Sequence, residues 1–351
     1  MHKEFLMGNA AIALGAVAAG VNVVAGYPGT PSTEVLETIA KHRPDDVYVE
    51  WSVNEKAAME LAAGASYAGA RSMVTMKQVG LNVASDPLMS LEYVGIKGGM
   101  VILVADDPGP ISSQTEQDTR HFSRFSKLPC FDPSSAQEAY EMIQEAFEYS
   151  EKYGTPVFLR PTTRVCHGYA SIMVKDETEY THHQPEGFIK DSKRWVIFPR
   201  LSFMNHKKIE ARNQELSDIF SSYEKNTIHP SCDAFKDSKK GIATGGISYT
   251  YTMETLKKTG MVKTLKIATP HPFPEKLAVD FLSGLDEVLC LEELDPVIER
   301  ELIYICGKYH LPTRINGKLS GHTACAGENT RDTITTYINT CLLYTSPSPR
   351  D

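Results

Sequence analysis

The sequence lacks the closely spaced cysteines that bind zinc or iron–sulfur clusters. Its seven cysteines are scattered from position 130 to position 341, and no two are closer than sixteen residues. This spacing excludes a local Cys-x-x-Cys metal site. Scattered thiols in a chain of enzyme size are typical of reduced proteins, so we expect a cytoplasmic location.

A basic stripe and a long apolar run are also missing. The chain carries 44 acidic and 36 Lys and Arg residues, for a formal charge of -8, which argues against a nucleic-acid partner. The apolar stretch Ala10–Val21 is too short to cross a membrane. Only Lys3, offset by Glu4, precedes it, so we expect neither a signal peptide nor a membrane association.

Apolar runs of strand length alternate with longer segments of helical spacing in the first half of the chain. This alternation predicts a mostly parallel sheet flanked by helices, an α/β fold whose ligands bind at the carboxyl ends of the strands. The predicted strands are Val23–Gly26, Val47–Trp51, Met73–Met76, Met100–Ala105 and Pro156–Leu159. The predicted helices are Ser32–His42, Asn54–Gly69, Leu81–Tyr93, Ser113–Ser126 and Ala136–Tyr153.

The length of 351 residues favours two domains. Residues 1–165 form the first domain. Residues 166–240 are richer in charged and aromatic side chains, and we interpret them as a connecting region with one helix near His206–Tyr223. The alternation returns in residues 241–340, which predicts a second, smaller α/β domain.

The last eleven residues, 341–351, do not continue the helical pattern of Asp332–Ile338. We expect this segment to be a foreign addition to the gene product or a disordered tail.

The loop YPGTPS follows the first of these strands and opens a helix. Thr30 could cap that helix with Pro31 at its first position. The alternative is functional, because the same turn would point backbone N–H groups and the Thr30 hydroxyl into the cleft at the edge of the sheet.

The loop VEWSVNE places Glu50 at a strand end and Glu55 just inside a helix that is rich in Ala and Gly. A carboxylate in the first turn of a helix is stabilised by the macrodipole, which alone could explain Glu55. The small residues that follow would, however, let the helix approach a ligand closely.

Two further loops follow buried strands, MKQVGLN and ADDPGPISSQTEQDTR. The second is rich in charge, and such loops are usually just solvated. Its position favours the alternative that Gln114, Asp118 or Arg120 faces the cleft, where these side chains would contact a substrate.

These loops together resemble the large subunit of indolepyruvate ferredoxin oxidoreductases, over its amino-terminal part. The likeness rests on YPGTPS, VEWSVNEKAAMELAAGASYAGAR, TMKQVGLNVASDPLM, VADDPGPISSQTEQDTR and RPTTRV in this order, and it extends through GIATGGISYTY and LEELDPVIE. It implies that the first domain is a pyrimidine-binding domain for thiamine diphosphate. It implies that the second domain resembles the carboxy-terminal domain of transketolases.

The resemblance also implies roles for individual residues. Glu55 would be the catalytic carboxylate that hydrogen-bonds the aminopyrimidine ring, and Thr30 would line the same pocket. The other residues that the resemblance assigns to cofactor binding are Pro28, Gly29, Gln78, Gly80 and Asn82. Gln78 stands where the family has histidine, and because glutamine does not titrate, a proton-transfer role at this position is in doubt.

The activity implied is oxidative decarboxylation of aryl 2-oxo acids to aryl-acetyl-coenzyme A, with ferredoxin as electron acceptor. The family continues with a diphosphate-binding domain, which holds Mg²⁺ through a Gly-Asp-Gly motif, and with a domain that carries 4Fe–4S clusters. This sequence has no Gly-Asp-Gly, so we expect the chain to be inactive alone and no metal to bind to it. The resemblance further implies a small beta subunit as partner and an oligomer.

Two alternatives stay open. The pyruvate and 2-oxoglutarate ferredoxin oxidoreductases share the cofactor domain and differ in the substrate pocket. The chain could also be a non-catalytic binding subunit that docks a separate diphosphate-binding chain.

Overall fold

A computed structural model describes residues 1–343. The chain divides into two compact units, Met1–Ser217 with Thr269–Pro272, and Asp218–Ala268 with the residues from Phe273 onward. Each unit contains an α/β sheet of its own, so the predicted fold class is confirmed. The domain limits at residues 165 and 240 stay predictions.

The first unit is built on six parallel strands in the order β3-β2-β4-β5-β7-β6, and β1 pairs separately with β8 in an antiparallel ribbon. Its strands are β1 (His2–Met7), β2 (Val23–Gly26), β3 (Tyr48–Trp51), β4 (Ser72–Lys77), β5 (Met100–Ala105), β6 (Cys130–Phe131), β7 (Val157–Leu159) and β8 (Tyr169–Val174). Its helices are α1 (Gly8–Ala18), α2 (Thr33–His42), α3 (Glu55–Tyr67), α4 (Gln78–Val94), α5 (Thr119–Phe125), α6 (Ala136–Tyr153), α7 (Thr163–His167), α8 (Ser192–Trp195) and α9 (Pro199–Phe220), the last of which extends into the second unit.

The predicted elements of the first unit are confirmed with small shifts at their ends. Strand β5 and helix α6 have the predicted bounds. All six residues of β5 are buried, as expected for a central strand covered on both faces. Helix α6 begins where the Ser135 hydroxyl accepts the N–H of Glu138, and it ends at Gly154 in the left-handed conformation.

The start of α5 and a pairing of two strands differ from the prediction, and β6, α1, α7 and α8 were not predicted. Helix α5 begins at Thr119 instead of Ser113, because the carboxylate of Asp107 accepts the N–H groups of Ser112 and Ser113 and holds that segment as a loop. The ribbon of β1 and β8 was not predicted. Its strands are distant in sequence, so local patterns could not indicate that they pair.

The second unit has a mixed five-stranded sheet in the order β13-β12-β10-β11-β9. Its strands are β9 (Thr227–His229), β10 (Lys240–Gly245), β11 (Lys263–Ile267), β12 (Glu287–Leu291) and β13 (Arg314–Asn316), and only β9 runs antiparallel to its neighbour. Its remaining helices are α10 (Gly246–Thr259), α11 (Glu275–Leu282), α12 (Val297–Tyr309) and α13 (Arg331–Ile338).

The chain continues α13 with a π-helical turn, Asn339–Leu343. The first three residues of the predicted tail are therefore helical and continue α13, whereas a break in the helical pattern was expected; the foreign origin of the segment stays a prediction. The rest of 341–351 lies outside the described residues. None of the seven cysteines forms a disulfide. Within the described part of the chain, no helix combines the length and apolarity needed to cross a bilayer.

A buried ionic cluster joins the carboxyl ends of three strands in the first unit. Arg160, directly after β7, is 2% exposed, and its Nε donates to Asp106 Oδ2 at 2.6 Å. Its Nη1 donates to Asp132 Oδ1 at 3.3 Å, and its Nη2 lies 3.7 Å from Asp118 Oδ1. Asp106 and Asp132 directly follow β5 and β6, so one guanidinium ties together the ends of neighbouring strands.

The charges in this cluster depend on one another. Burial opposes the charge on Arg160, but the three surrounding carboxylates raise the pKa of its guanidinium well above the usual value. Burial raises the pKa of Asp106 and of Asp132. Burial would also raise the pKa of Asp118, but Arg120 and Arg160 outweigh it and lower that pKa.

Removing the shared cation should destabilise the first unit strongly. In Arg160→Met, Asp106 and Asp132 lose the guanidinium to which they are hydrogen-bonded, and we expect a loss of about 3–5 kcal/mol in the free energy of unfolding. The exposed ion pair between Lys56 and Asp86, at 2.8 Å, provides a control. Lys56→Met should cost under about 1 kcal/mol. Urea unfolding of both variants measures the difference, and equal losses would contradict the role assigned to Arg160.

Candidate cofactor site

Loops from four strands meet at the carboxyl edge of the first sheet. The chain passes from β2 to β3 on one side and then returns to β4 on the other side of β2, so the order of strands reverses there. Ligands of parallel α/β sheets bind at such a point, outside the carboxyl ends of the strands. The loops that follow β2, β3, β4 and β5, together with the first residues of the helices after them, contain all the sequence-predicted site residues.

Glu55 is the first residue of α3. Asn54 caps this helix, because its Oδ1 accepts the N–H of Ala57 at 2.9 Å. The Glu55 side chain is half-buried, and within residues 1–343 its carboxylate has no hydrogen-bond or ion-pair partner. A half-buried carboxylate without a protein partner is available to a ligand.

Gly80 provides the space in which the Glu55 side chain lies. A Cβ atom at residue 80 would stand 2.6 Å from Glu55 Oε1 and 2.7 Å from Glu55 Cγ. Any side chain at residue 80 would therefore displace the carboxylate. Gly80 and Glu55 were both predicted as site residues, and the structure brings them into contact.

Glu50 has a different environment. Its carboxylate accepts hydrogen bonds from the Tyr48 hydroxyl and, at 3.0 Å, from Ser52 Oγ. These partners lie on the same strand and its end. Glu50 therefore has protein partners where Glu55 has none.

The loop after β2 differs locally from the prediction. Helix α2 begins at Thr33 after Ser32, so Thr30 does not cap it and Pro31 is not its first residue. The turn is held instead by the Gly29 N–H, which donates to Thr33 Oγ1 at 2.9 Å. With no capping role, the Thr30 side chain is exposed at the edge of the sheet. Pro28, one residue before Gly29, is exposed as well.

Residues 106–118 form a long loop that is hydrogen-bonded to the start of α4. Lys77 Nζ donates to Gln114 Oε1 at 3.1 Å, and Asn82 Nδ2 donates to Gln117 Oε1 at 3.1 Å. At its other side, Ser112 Oγ donates to the Thr30 carbonyl at 3.4 Å. The loop thus connects the turn after β2 with the turn after β4.

Gln78 is buried and fastens this loop. Its Nε2 donates to the Thr115 carbonyl at 3.1 Å, and its Oε1 accepts from Ser113 Oγ at 3.5 Å. Only 2% of Gln78 is exposed. The resemblance implied that Gln78 contacts the cofactor directly, which would require its hydrogen bonds to the 106–118 loop to break.

The three predicted substrate contacts differ in their exposure. Gln114 is exposed beside Lys77. Asp118 and Arg120 are buried and paired, with Arg120 Nη2 donating to Asp118 Oδ2 at 2.6 Å. Neither is open to a ligand in this structure, which corrects the expectation that they face the cleft.

Sequence reasoning missed Lys77 and Asp107. Lys77 ends β4, and its stem packs against Gly29, where a Cβ atom would lie 3.0 Å from Lys77 Cγ. The carboxylate of Asp107 accepts three hydrogen bonds, from the Ser112 and Ser113 N–H groups and from Thr163 Oγ1 at 2.7 Å. The sequence feature that could have indicated Lys77 and Asp107 is their position at the end of a strand. Many residues without a role in a site share this position, so it does not single them out.

Comparison with known proteins shows the family to which the chain belongs. Residues 14–229 match the family described as pyruvate flavodoxin/ferredoxin oxidoreductase, thiamine diphosphate-binding. The chain belongs to this family. The matched segment contains every residue discussed at the edge of the sheet.

A curated relative is similar to most of the chain. The chain is 43% identical over 324 residues to the indolepyruvate oxidoreductase subunit IorA of Methanothermobacter thermautotrophicus, covering 91% of this chain and 51% of the relative. The chain therefore spans about half the length of this curated relative.

Two solved structures share the fold. One is a 2-oxoglutarate:ferredoxin oxidoreductase from Magnetococcus marinus, with a TM-score of 0.75 and 18% identity over 96% of this chain and 65% of that one. The other is a split-gene transketolase in an inactive β4 tetramer, with a TM-score of 0.61 and 14% identity over 96% of this chain and 97% of that one. At these identities the likeness concerns the fold alone.

The contact between Gly80 and Glu55 can be tested apart from activity. In Gly80→Ala, the carboxyl group must move, but since it ends a flexible side chain, the free energy of unfolding should stay within about 1 kcal/mol of the parent. Gly64, also in a helix, has no heavy atom within 4 Å of a would-be Cβ atom, so Gly64→Ala is the matched control. Gly64→Ala should stabilise by about 0.5–1 kcal/mol. Crystal structures should show Glu55 displaced in the first variant only, and an unmoved carboxyl group in Gly80→Ala would contradict the assignment.

Proposed function

We propose that this chain supplies the pyrimidine half of a thiamine diphosphate site in an oxidoreductase that acts on aryl 2-oxo acids, such as indolepyruvate. In the complete reaction, the 2-oxo acid loses its carboxylate as CO2, two electrons pass to ferredoxin, and the acyl group forms a thioester with coenzyme A. The observation that carries the proposal is the unpartnered Glu55 carboxylate against Gly80, in a family whose domain binds thiamine diphosphate.

The residues at the edge fit the pyrimidine end of this cofactor. Glu55 would hold the aminopyrimidine through its ring nitrogen, with which the carboxyl group shares a proton. Thr30, Pro28 and Gly29 would line the pocket from the turn after β2. When bound, the cofactor supplies a nucleophilic carbon that promotes loss of CO2 from a 2-oxo acid.

The protein would contribute orientation and proton control. The Gly80 position leaves room for the Glu55 carboxylate. The hydrogen bonds of the 106–118 loop fix the turn after β2 and the turn after β4. Gln114 and Asn82, both exposed, are the remaining candidates to contact a bound molecule. Preorganised groups of this kind act without rearrangement during the reaction.

The remaining components would lie outside this chain. A diphosphate-binding part would bring Mg²⁺, and a cysteine-rich part would bring 4Fe–4S clusters. A small beta subunit and an oligomeric assembly are proposed because the similar protein is named as a subunit of an oxidoreductase, and ferredoxin is proposed because the family description names it. We also propose a cytoplasmic location, in keeping with seven cysteines that form no disulfide.

A panel of 2-oxo acids tests the substrate class. The complete enzyme, with this chain continued to the length of its relatives, should turn over indolepyruvate and phenylpyruvate faster than pyruvate or 2-oxoglutarate, measured as reduced ferredoxin. The chain alone is the control and should turn over none of them. Preference for 2-oxoglutarate would instead favour the activity named for the similar Magnetococcus structure. Turnover by the chain alone would contradict the proposed division of the site.

Glu55→Gln tests the role of the carboxylate in the same complete enzyme. The amide keeps the shape but cannot share a proton, so turnover should fall by roughly 10²–10⁴. Glu50→Gln is the matched control five residues away, and it should retain most activity because Glu50 is hydrogen-bonded within its own strand. If Glu50→Gln abolishes turnover and Glu55→Gln does not, the catalytic carboxylate is wrongly assigned.

A further inference from the structure

A cavity of about 420 Å³ lies in the first unit, away from the candidate cofactor site. Its walls come from the ends of α4 and α6 and from helices α8 and α9. Helix α4 ends at Val94 and α6 at Tyr153, shortly before strands β5 and β7 begin. The cavity is therefore at the amino ends of the strands, at the edge of the sheet opposite the cofactor loops.

Two buried polar atoms at this cavity, Glu92 Oε1 and the Tyr153 hydroxyl oxygen, have no hydrogen-bond partner within the described residues. Glu92 is 3% exposed, and its Oε1 lacks a hydrogen-bond partner among residues 1–343. The Tyr153 hydroxyl is also buried and unpaired within that range. Buried polar groups are nearly always hydrogen-bonded, so both groups indicate an occupant with polar atoms. Both residues line the cavity.

The charge around the cavity favours an anion. Four cationic side chains line it, against two acidic ones, Glu92 and Asp191. Burial raises the pKa of Glu92 to about 7, against the opposing influence of Arg212 and Lys127, so near neutral pH this carboxyl group is often neutral and can donate a hydrogen bond. The four cations are Lys193, Arg194, Lys208 and Arg212.

Two of these cations are held in place, and two are available. Arg194 Nη2 donates to the Ile96 carbonyl at 2.6 Å, and Arg212 Nη2 donates to the Lys127 carbonyl at 2.7 Å. Within the described residues, neither Lys193 nor Lys208 forms an ion pair. An anion entering the cavity would thus meet a fixed positive field and two ammonium groups that form no ion pair within the described residues.

The remaining walls are apolar. Tyr93, Val94, Leu201 and Ile209 contribute carbon surface. The volume falls within the range of roughly 300–1,000 Å³ that is typical of pockets for small molecules, and it exceeds what a single inorganic anion needs. The occupant should therefore combine a charged group with an apolar body.

We propose that this cavity binds a small organic carboxylate with an apolar body, at a site separate from the cofactor site. The carboxylate would be attracted by Lys208 and Arg212 and accept hydrogen bonds from the Tyr153 hydroxyl and protonated Glu92. The apolar body would contact Leu201 and Ile209. This proposal does not depend on the proposed function.

Calorimetric titration of the chain with phenylacetate tests the proposal. 2-Phenylethanol shares the aromatic body without the charge, and inorganic phosphate carries charge without the body. Phenylacetate should bind saturably below about 10 mM and at least about tenfold more tightly than either comparison compound. No saturable binding of phenylacetate would mean that the cavity holds water only and would overturn the proposal.

Variants then locate the binding. Lys208→Gln should weaken phenylacetate binding about three- to tenfold, because it removes a charge at the cavity. Lys207→Gln, one residue away and not part of the cavity wall, should leave the affinity unchanged. Leu201→Trp should block binding by filling the cavity, and Glu55→Gln should have no effect. If Glu55→Gln abolishes binding while Lys208→Gln does not, phenylacetate occupies the cofactor site, and the proposed cavity site is wrong.

Discussion

The Arg160 guanidinium holds together the edge of the sheet on which the candidate site rests. It contacts carboxylates that follow β5 and β6, and a third carboxylate at the start of α5. Asp106 is also the first residue of the loop that covers the edge, and its Oδ2 accepts the Thr119 N–H at 3.0 Å. Both ends of the 106–118 loop are therefore anchored to one buried cation. The loop could not keep its contacts with Lys77 and Thr30 if these ends were free.

The environment of Glu55 depends on this edge of the sheet, which Arg160 holds in place. The parallel strands bring four turns to one place, and the reversal of strand order opens a gap between them. Asn54 starts the helix that carries Glu55, while Gly80 on the neighbouring helix leaves space for its carboxylate. The rigid parts of the unit thus leave one half-buried acid without a protein partner, which is the arrangement that a cofactor with a basic ring nitrogen requires.

The sequence predicted the parts of this arrangement that depend on local patterns. Alternating apolar runs located five of the six strands of the first sheet, and the segments that follow them indicated Glu55, Gly80 and Thr30. The resemblance to a known family supplied their roles, since helix-dipole stabilisation alone would explain Glu55 equally well.

What the sequence did not indicate depends on contacts between distant residues. Asp118 and Arg120 were expected in the cleft because they belong to a charged loop, but a buried partner such as Arg160, which is 42 positions beyond Asp118, decides where such charges lie. Thr30 matched a capping pattern, yet the Gly29 turn shifted the start of the helix to Thr33. The pairing of β1 with β8 likewise joins residues near opposite ends of the first unit.

If Glu55 controls a proton on the bound cofactor, as we propose, the exchange of that proton should depend on its carboxylate. In the complete enzyme, exchange of the C2 proton of bound thiamine diphosphate with deuterated solvent can be followed by rapid acid quench and NMR. Glu55→Gln should slow this exchange by orders of magnitude, whereas Glu50→Gln should exchange near the parent rate. Exchange at the parent rate in Glu55→Gln, with the cofactor still bound, would contradict the proposed role of Glu55.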